Sequence, residues 1–533
     1  MTLLAHSARR SWREMFSYVS LAMLVAACSP PMPRIDGVPG APPAPETPWK
    51  IPDAARTPPP PAEPPDAAPI GTALRSDSAH IAGVTQLSMM DVIDFSLRNN
   101  PTTRESWATA RAAADQYGSA RGALFPTING NVNLSGTSST VGSSSGSNLT
   151  GTGTGTGTGT DSSGTRSSTG SSGGSSSRTQ LTPSISVSYL VFDLGGRAGA
   201  IEAAKQRAIS SDLAHNTTIQ NVVLQAESAV FNYLATRATR EAQIVAVQEA
   251  QADTAAAEAR MRVGVGTLEE VLQTRTALAQ AKLQLATLGG NLLTARANLA
   301  LAMGVQANSR FEVPEITSTD SVATIAASVD TLINRAITLR PDLAGARADA
   351  AALAAEIRVA RSAGYPALTL SSTGSYARQL QGAGNNTGRN LSLVLGLQIP
   401  IFNGFSHEYD ARTARDLYEA GLARVQSTTQ QISVQVFASY ATLQTATERI
   451  STAVELLTAA QQSSDVAQGR YREGVGTIVD VLLARTALAS ARAEEIQARW
   501  EWRTALAQLA HDVGALDTGG RPNIPLSPGP GIR

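Results

Sequence analysis

The chain has 533 residues, with 43 basic against 43 acidic side chains, 16% charged and 5% aromatic residues, and one cysteine. Zero formal charge argues against a nucleic-acid binder, which normally turns a basic excess toward phosphate, and a lone cysteine excludes an intramolecular disulfide framework and any cysteine-based zinc site. No run reaches the ~18 to 20 apolar residues of a membrane-spanning helix, so length alone suggests about three or four soluble domains, unless a repeat spreads the chain over one larger object.

Arg9, Arg10 and Arg13 precede a 12-residue apolar run, Phe16 to Ala27, broken only by Ser17 and Ser20. This is the layout of a secretory signal peptide. It ends in Val25-Ala26-Ala27-Cys28, and small residues before a cysteine are what a lipoprotein signal peptidase needs to reach the backbone. Residues 1–27 are therefore read as a lipoprotein leader and Cys28 as the lipid-bearing N-terminus; the alternative is an incidental cysteine after an ordinary signal peptide. Ser29, in place of an aspartate, resembles the outer-membrane sorting pattern of bacterial lipoproteins. Residues 30–69 hold 16 of the 27 prolines, so 28–84 is expected to be an extended tether, with polyproline recognition as its rival use.

A repeated unit follows, 85–305 and 328–515, joined by a connecting segment at 306–327 and ending in a flexible tail at 516–533. Residues 260–281 recur as 470–491 with 14 of 22 positions identical at an offset of 210. Val191-Phe192-Asp193-Leu194-Gly195 answers Ile401-Phe402-Asn403-Gly404-Phe405 at the same offset, but Leu124-Phe125-Pro126 answers Gly364-Tyr365-Pro366 at 240. The first copy thus carries 30 additional residues, which fall in Ser135 to Thr179, where 39 of 45 residues are Gly, Ser or Thr. Such a tract cannot form a core and is expected in solvent.

Each copy opens with helices, about Met89 to Leu124 and Ser328 to Gly364, interrupted near Pro101 and Pro341. The pattern then alternates: Ile128, Val132 and Leu134 against Asn129, Asn131 and Asn133; Ile185, Val187, Tyr189 and Val191 against Ser184, Ser186 and Ser188. In the second copy Leu368, Leu370 and Tyr376 oppose Thr369, Ser371, Thr373 and Ser375, and Leu391 to Ile401 puts an aliphatic at every second position. Each copy thus predicts two strands of about 10 residues, the length that crosses a bilayer when tilted, with aliphatics toward lipid and small polar residues toward water. Strands of a soluble sandwich would alternate likewise. Leu194 to Arg262 contains no proline and repeats Ile219, Val222/Val223, Ala226, Val230 and Tyr233/Leu234 at close to 3.5 residues; Val436, Tyr440, Leu443, Ile450, Val454 and Leu457 keep heptad spacing in the second copy. Continuous helix over 69 residues would extend roughly 100 Å.

The long helices meet at Gly264-Val265-Gly266-Thr267 and Gly474-Val475-Gly476-Thr477. Glycine accepts the positive φ that ends a helix, and Thr267 with Glu270, and Thr477 with Asp480, match a capping box for the next one. These are hairpin tips. Val265 and Val475 then sit where turning requires no apolar side chain, which admits either a plain turn or a docking surface.

Together the lipobox, the duplicated strand and long-helix plan, Phe125-Pro126 with Tyr365-Pro366, Phe192-Asp193-Leu194-Gly195-Gly196-Arg197 and the Val-Gly-Thr tips resemble the TolC-like outer-membrane efflux proteins over roughly residues 85 to 515. The resemblance implies a mixed α/β membrane protein: four transmembrane strands per subunit in a trimeric 12-stranded barrel, and long periplasmic coiled-coil helices forming a tunnel. Independently, four strands cannot close a barrel and an open edge cannot face lipid. The resemblance further implies an exit duct for substrates exported by an inner-membrane pump of RND or ABC type, reached through a periplasmic membrane-fusion adaptor. It assigns adaptor contact to Arg260, Val265, Gly266, Thr267, Arg470, Val475, Gly476 and Thr477. Asp480, with Glu270 as its repeat equivalent, becomes a candidate gate, since carboxylate rings at a constriction favour cations; a simple helix cap is the competing role. Leu483 stands where relatives often carry a second acid. Phe125, Phe192, Tyr365 and Phe402 fall at strand–helix junctions and suit either the membrane interface or packing.

Catalytic motifs are nearly absent. Gly142-Ser-Ser-Ser-Gly146 fits the nucleophile-elbow pattern but lies in the Gly/Ser/Thr tract without a strand before or a helix after it. The five histidines form no ligand pairs and the eight methionines no copper-like cluster, so no cofactor and no enzymatic activity are expected. Besides the duct, a lipid-anchored coiled-coil adhesin explains the heptads but not the strand pairs, and a lipid-anchored hydrolase lacks a site.

Overall fold

The computed structural model describes residues 34–35, 38–39, 42–49, 87–140, 175–309, 311–314, 324–325, 327–381, 387–516 and 526–527. The leader, Cys28, most of the proline-rich segment and residues 141–174 of the Gly/Ser/Thr tract lie outside them. The main elements, in chain order, are α1 (Met89–Asn99), α2 (Pro101–Gly122), β1 (Thr127–Thr140), β2 (Ser175–Phe192), α3 (Gly196–Arg262) and α4 (Leu268–Ala302), then α5 (Val329–Leu339), α6 (Pro341–Ser362), β3 (Ala367–Gln381), β4 (Thr387–Gln398), α7 (Ser406–Arg472) and α8 (Ile478–Asp512). The repeat is thus preserved element by element. No helix among the described residues is long and apolar enough to cross a membrane.

The chain divides into two units, one formed by Arg121–Gly199 with Arg358–Ala411, the other by Met1–Ala120, Ala200–Ile357 and Arg412–Arg533. The first is an antiparallel sheet in the order β1-β2-β3-β4. Its register sorts the side chains that alternation had separated. Ile128, Val187, Ser372 and Leu393 form one cross-strand row, Tyr189, Leu370 and Leu395 another, and Ile185, Gly374 and Leu391 a third, all on one face. The opposite face carries rows such as Asn129, Ser186, Thr373 and Ser392. The aliphatic face is bare, with Val132 71%, Leu391 82% and Leu393 72% exposed. β1 and β4 each have a single neighbour, so both outer edges present unpaired backbone groups.

The strands are longer than the expected ten residues, at 14, 18, 15 and 12. Ser135–Thr140 continue to pair with Ser175–Gln180, so the ends of the Gly/Ser/Thr tract, expected in a solvent loop, belong to the sheet. Backbone pairing needs no apolar side chain, and a run of uniformly small polar residues carries no period-two signal. A register shift between Leu190 and Phe192 brings Phe192 opposite Leu368. Phe192, rather than Val191 as alternation implied, therefore ends the aliphatic face.

The turn into α3 is held by side chains of its own motif. Leu194 and Gly195 adopt φ of 52° and 97°, the Asp193 carboxylate accepts from the Arg197 amide at 2.5 Å, and the Arg197 guanidinium donates to the Leu190 carbonyl at 2.7 Å. The matching turn uses Gly404 and Phe405, at 68° and 66°, and the Asn403 amide donates to Ser406 Oγ at 2.7 Å.

In the helical unit the heptad positions form the core. Ile219, Val222, Val223, Ile432, Val436, Leu443 and Ile450 pack with Ile93, Leu332, Leu343 and Trp502 in one cluster, and Val230 and Leu234 with Leu87, Val92, Leu299 and Met303 in a second. The breaks fall where expected: Asn100 and Arg340, each before proline, are extended, as proline's ring requires of its predecessor. A repeat feature missed in the sequence secures these corners. Gly304 and Gly514, 210 residues apart, follow α4 and α8 with φ of 69° and 72°; Gly304 abuts the Asn99–Asn100 backbone and Gly514 the Leu339–Arg340 backbone. Asn100 Nδ2 donates to the Ala302 carbonyl at 3.4 Å, and Arg340 Nη1 to that of Asp512 at 3.2 Å.

Short stretches of the tether and of the tail are described and make contacts, while the rest of both segments lies outside the described residues. The tether is docked over part of its length: Trp107 Nε1 donates to the Pro42 carbonyl at 2.9 Å, Trp49 exchanges two backbone hydrogen bonds with the Asn216 side-chain amide, and Trp49 is 4% exposed, clustered with Tyr117 and Ala208. A tryptophan that buries its ring and satisfies its backbone overrides the extended character of the neighbouring prolines. In the tail expected to be flexible, Leu526–Ser527 pair antiparallel with Thr324–Ile325, a short ladder that hydropathy does not signal.

Substitutions test these points. A Cβ at Gly304 would stand 2.7 Å from backbone atoms of Asn99; Gly304→Ala is expected to destabilise the chain by about 2 kcal/mol or more, read as a lower thermal midpoint. Asp212 on α3 is buried with neither carboxylate oxygen hydrogen-bonded, and burial raises its pKa from 3.8 to about 8. The fold favours its protonated form, so its presence costs progressively more stability as pH rises from the unfolded value toward 8. Asp212→Asn should therefore raise the thermal midpoint most above pH 8, with the gain shrinking toward pH 5.

Candidate functional site

Both hairpin tips end their first helix in the same way. Gly264 and Gly474 take φ of 79° and 76°. The Val265 and Gly266 amides donate to the Arg260 carbonyl at 3.0 and 3.1 Å, and the Val475 and Gly476 amides to that of Arg470 at 2.9 and 3.1 Å. With Gly264 N–H on Met261 and Gly474 N–H on Tyr471, each is a Schellman closure. The second glycine is fixed sterically, since a Cβ at Gly266 or Gly476 would lie 3.0 Å from Cβ of Arg260 or Arg470. Val265 and Val475 project outward, 65% and 69% exposed.

Beyond the turn the tips diverge. Thr477 and Asp480 form the full capping box, with Asp480 Oδ2 accepting from Thr477 N at 3.1 Å and Oγ1 at 2.9 Å. The backbone hydrogen bond from Thr477 leads the causes that hold the Asp480 carboxyl below its ordinary pKa. The expected box at Thr267 and Glu270 is only half made: Thr267 Oγ1 accepts from Glu270 N at 3.2 Å, but the Glu270 carboxylate turns away. It accepts instead from Tyr471 Oη of the other hairpin at 3.3 Å. Arg260 lies over the same ring, 4.9 Å from its centroid, so this expected docking residue also joins one hairpin to the other. Burial and the Glu270 charge push the Tyr471 hydroxyl pKa up.

Further links cross between hairpins. Arg485 on α8 reaches Glu249 at 3.0 Å and Asp253 at 3.6 Å on α3, and Arg492 reaches Glu249 at 3.3 Å. The repeat equivalent of Arg485, Arg275, instead closes on Glu258 inside its own hairpin at 2.7 Å. Sequence reading missed Tyr471 and this network. The available signal was departure from the repeat, because Tyr471 replaces Met261. Leu483 likewise replaces Gln273; it is 66% exposed and lines a groove of about 710 Å³ with Leu268, Leu272, Val479 and Leu482.

In the sheet unit Phe125, Phe192, Tyr365 and Phe402 are 69%, 54%, 53% and 74% exposed, which leaves them no core-packing role within the chain. The Phe125 and Tyr365 amides each close a turn on the preceding helix, at 3.0 Å. Phe402 meets Phe405 edge to face at 5.4 Å.

A profile of the family described as "Outer membrane efflux protein" matches residues 92–305 and 332–515. The chain belongs to that family. It is 24% identical to Protein CyaE of Bordetella pertussis over 430 residues, covering 80% of this chain and 83% of the relative. It is 30% identical to the pyoverdine export outer membrane protein OpmQ of Pseudomonas aeruginosa, over 62% and 68% of the two chains, and 24% identical to TolC of Escherichia coli, over 82% and 85%. Among solved structures, CusC aligns with a TM-score of 0.66 at 18% identity, over 80% of this chain and 92% of that one. VceC of Vibrio cholerae aligns at 0.63 and 20%, over 80% and 96%. The fold is that of these channels, and outer-membrane efflux is the activity class of the family.

Because Asp480 caps its helix as a carboxylate and its folded pKa is depressed, the contribution is present above about pH 4 and lost as pH falls through the folded value. Asp480→Asn should accelerate amide exchange at the start of α8 at neutral pH and match the parent below the carboxylate range. Glu270→Gln should leave α4's start unchanged.

Proposed function

We propose that three copies of the chain form an outer-membrane exit duct in a tripartite export system, passively conducting substrates delivered by an inner-membrane pump of RND or ABC type through a periplasmic adaptor. The observation that carries this reading is the four-stranded sheet with one aliphatic face, one small polar face and two unpaired edges. Edges of that kind are not tolerated in lipid, and a closed ring of three sheets pairs every edge, puts aliphatics outside and leaves a wet interior. Phe125, Phe192, Tyr365 and Phe402 then belong at the inner membrane interface, and Cys28 supplies a second anchor through lipid. A coiled-coil adhesin leaves the amphipathic sheet without purpose.

The tips form the periplasmic entrance in this reading. Val265 and Val475, with Gly266, Thr267, Gly476 and Thr477, offer the adaptor two near-identical knobs, and the Leu268–Leu483 groove an apolar seat. Arg470, exposed beside Val475, adds a cation to that surface. Tyr471–Glu270, Arg260 over Tyr471 and Arg485 with Glu249 and Asp253 hold the hairpins together and thereby latch the entrance; Asp480 and Glu270 give its rim negative charge. The export role of OpmQ favours a small-molecule substrate.

In planar bilayers the parent should show a small conductance. Loss of the Tyr471 hydroxyl link weakens the closed state by roughly 1.4 kcal/mol, so Tyr471→Phe should raise the open population about tenfold, and Tyr471→Phe with Arg485→Gln more. Unchanged conductance in the double variant, with oligomer intact, would remove the latch; absence of any conductance from inserted parent would remove the duct.

A further inference from the structure

All charges in the sheet gather at the end away from the helices. The four strands contain Arg178, Arg378 and Arg389 and no aspartate or glutamate. Arg378 pairs with Thr387 and with Leu181, and Arg389 with Tyr376. Register therefore sets Arg378 and Arg389 on the aliphatic face, in the rows just beyond Ile185, Gly374 and Leu391, on adjacent strands. Both are exposed, and Arg389 lies 5.9 Å from the Tyr376 ring centroid. Arg178 pairs with Thr137, which puts its register position on the other face.

Their height is specific. From Leu368, opposite Phe192, to Arg378 the strand advances ten residues, about 33 Å at 3.3 Å each. Tilted as barrel strands are, this spans about 25 Å along the membrane normal, the height of an apolar band. If the strand–helix aromatics mark the inner interface, Arg378 and Arg389 emerge at the outer one. Diagonal neighbours on one face stand about 7 to 8 Å apart, and two like charges at that distance with no carboxylate on any strand repel. Residues 382–386 between the strands add no acid. A phosphate-bearing group cures the repulsion and suits guanidinium geometry, which forms bidentate hydrogen bonds to phosphate oxygens.

We infer that Arg378 and Arg389 form an outward-facing clamp for the phosphorylated headgroup of an outer-leaflet lipid, Tyr376 flanking the headgroup as an interfacial aromatic. This rests on the barrel reading above.

The test uses the full chain reconstituted in phosphatidylcholine discs containing lipid A in bis-phosphorylated or dephosphorylated form, with retained lipid counted by native mass spectrometry and insertion read separately as a heat-sensitive oligomer. The phosphorylated form should be retained preferentially. Arg378→Gln with Arg389→Gln should lose that preference about tenfold, Arg378→Lys with Arg389→Lys should recover part of it, and Arg178→Gln should keep it. Equal retention by the inserted double Gln variant overturns the clamp alone. So does an equal loss in Arg178→Gln, which points to bulk charge, or displacement by millimolar inorganic phosphate, which points to a free-anion site. A parent chain that does not insert overturns the barrel and the clamp with it.

Discussion

The unpaired edges of β1 and β4 are the constraint on which the rest depends. A sheet of four strands with a continuous aliphatic face is too narrow to close on itself, and each exposed edge amide and carbonyl carries a large desolvation cost in hydrocarbon. Water on the aliphatic face and lipid on the edges are both unfavourable, which is the physical ground for the proposed association of copies. The proposed symmetric association through those edges pairs the edge groups with no new sequence and so lets the aliphatic face enter lipid, in keeping with exposed apolar surface concentrated where register aligns it rather than scattered.

Duplication supplies the framework, and the contacts that join its two copies depart from it. The Schellman closures, the corner glycines Gly304 and Gly514 and the proline breaks are nearly identical in the two copies, because each answers a backbone requirement that both share. Side chains that meet across the copies do not repeat. Glu270 gives up half a capping box to reach Tyr471, and Arg485 leaves its own hairpin for α3, where Arg275 stays within its own.

Much of this was legible in the sequence. Period-two alternation located the strands, heptads located the buried face of α3 and α7, and glycine with threonine located the tips, since each signal reflects a local backbone or solvation preference. What escaped was non-local. The extension of β1 and β2 into the Gly/Ser/Thr tract depends on backbone pairing alone, and the shift that puts Phe192 opposite Leu368 depends on a neighbouring strand. The docking of Trp49 onto Asn216 joins residues 167 apart. The Tyr471–Glu270 link spans 201, and only its mismatch with Met261 marked it beforehand. Family resemblance assigned adaptor contact to Arg260 but gave no sign that it also lies over Tyr471 of the other hairpin.

The most direct test of the central claim is disulfide trapping between the two sheet edges. Chains carrying Asn131→Cys on β1 and one further cysteine moved along residues 389–397 of β4, with Cys28 kept because its proposed lipid-bearing sulfur is no free thiol and with Asn131→Cys alone as the control, would be oxidised in the membrane and resolved under denaturing conditions. Covalent species that stop at three chains, at positions on one face of β4, are expected. No interchain cross-link at any position, or a ladder continuing beyond three, would contradict edge-to-edge closure of three sheets.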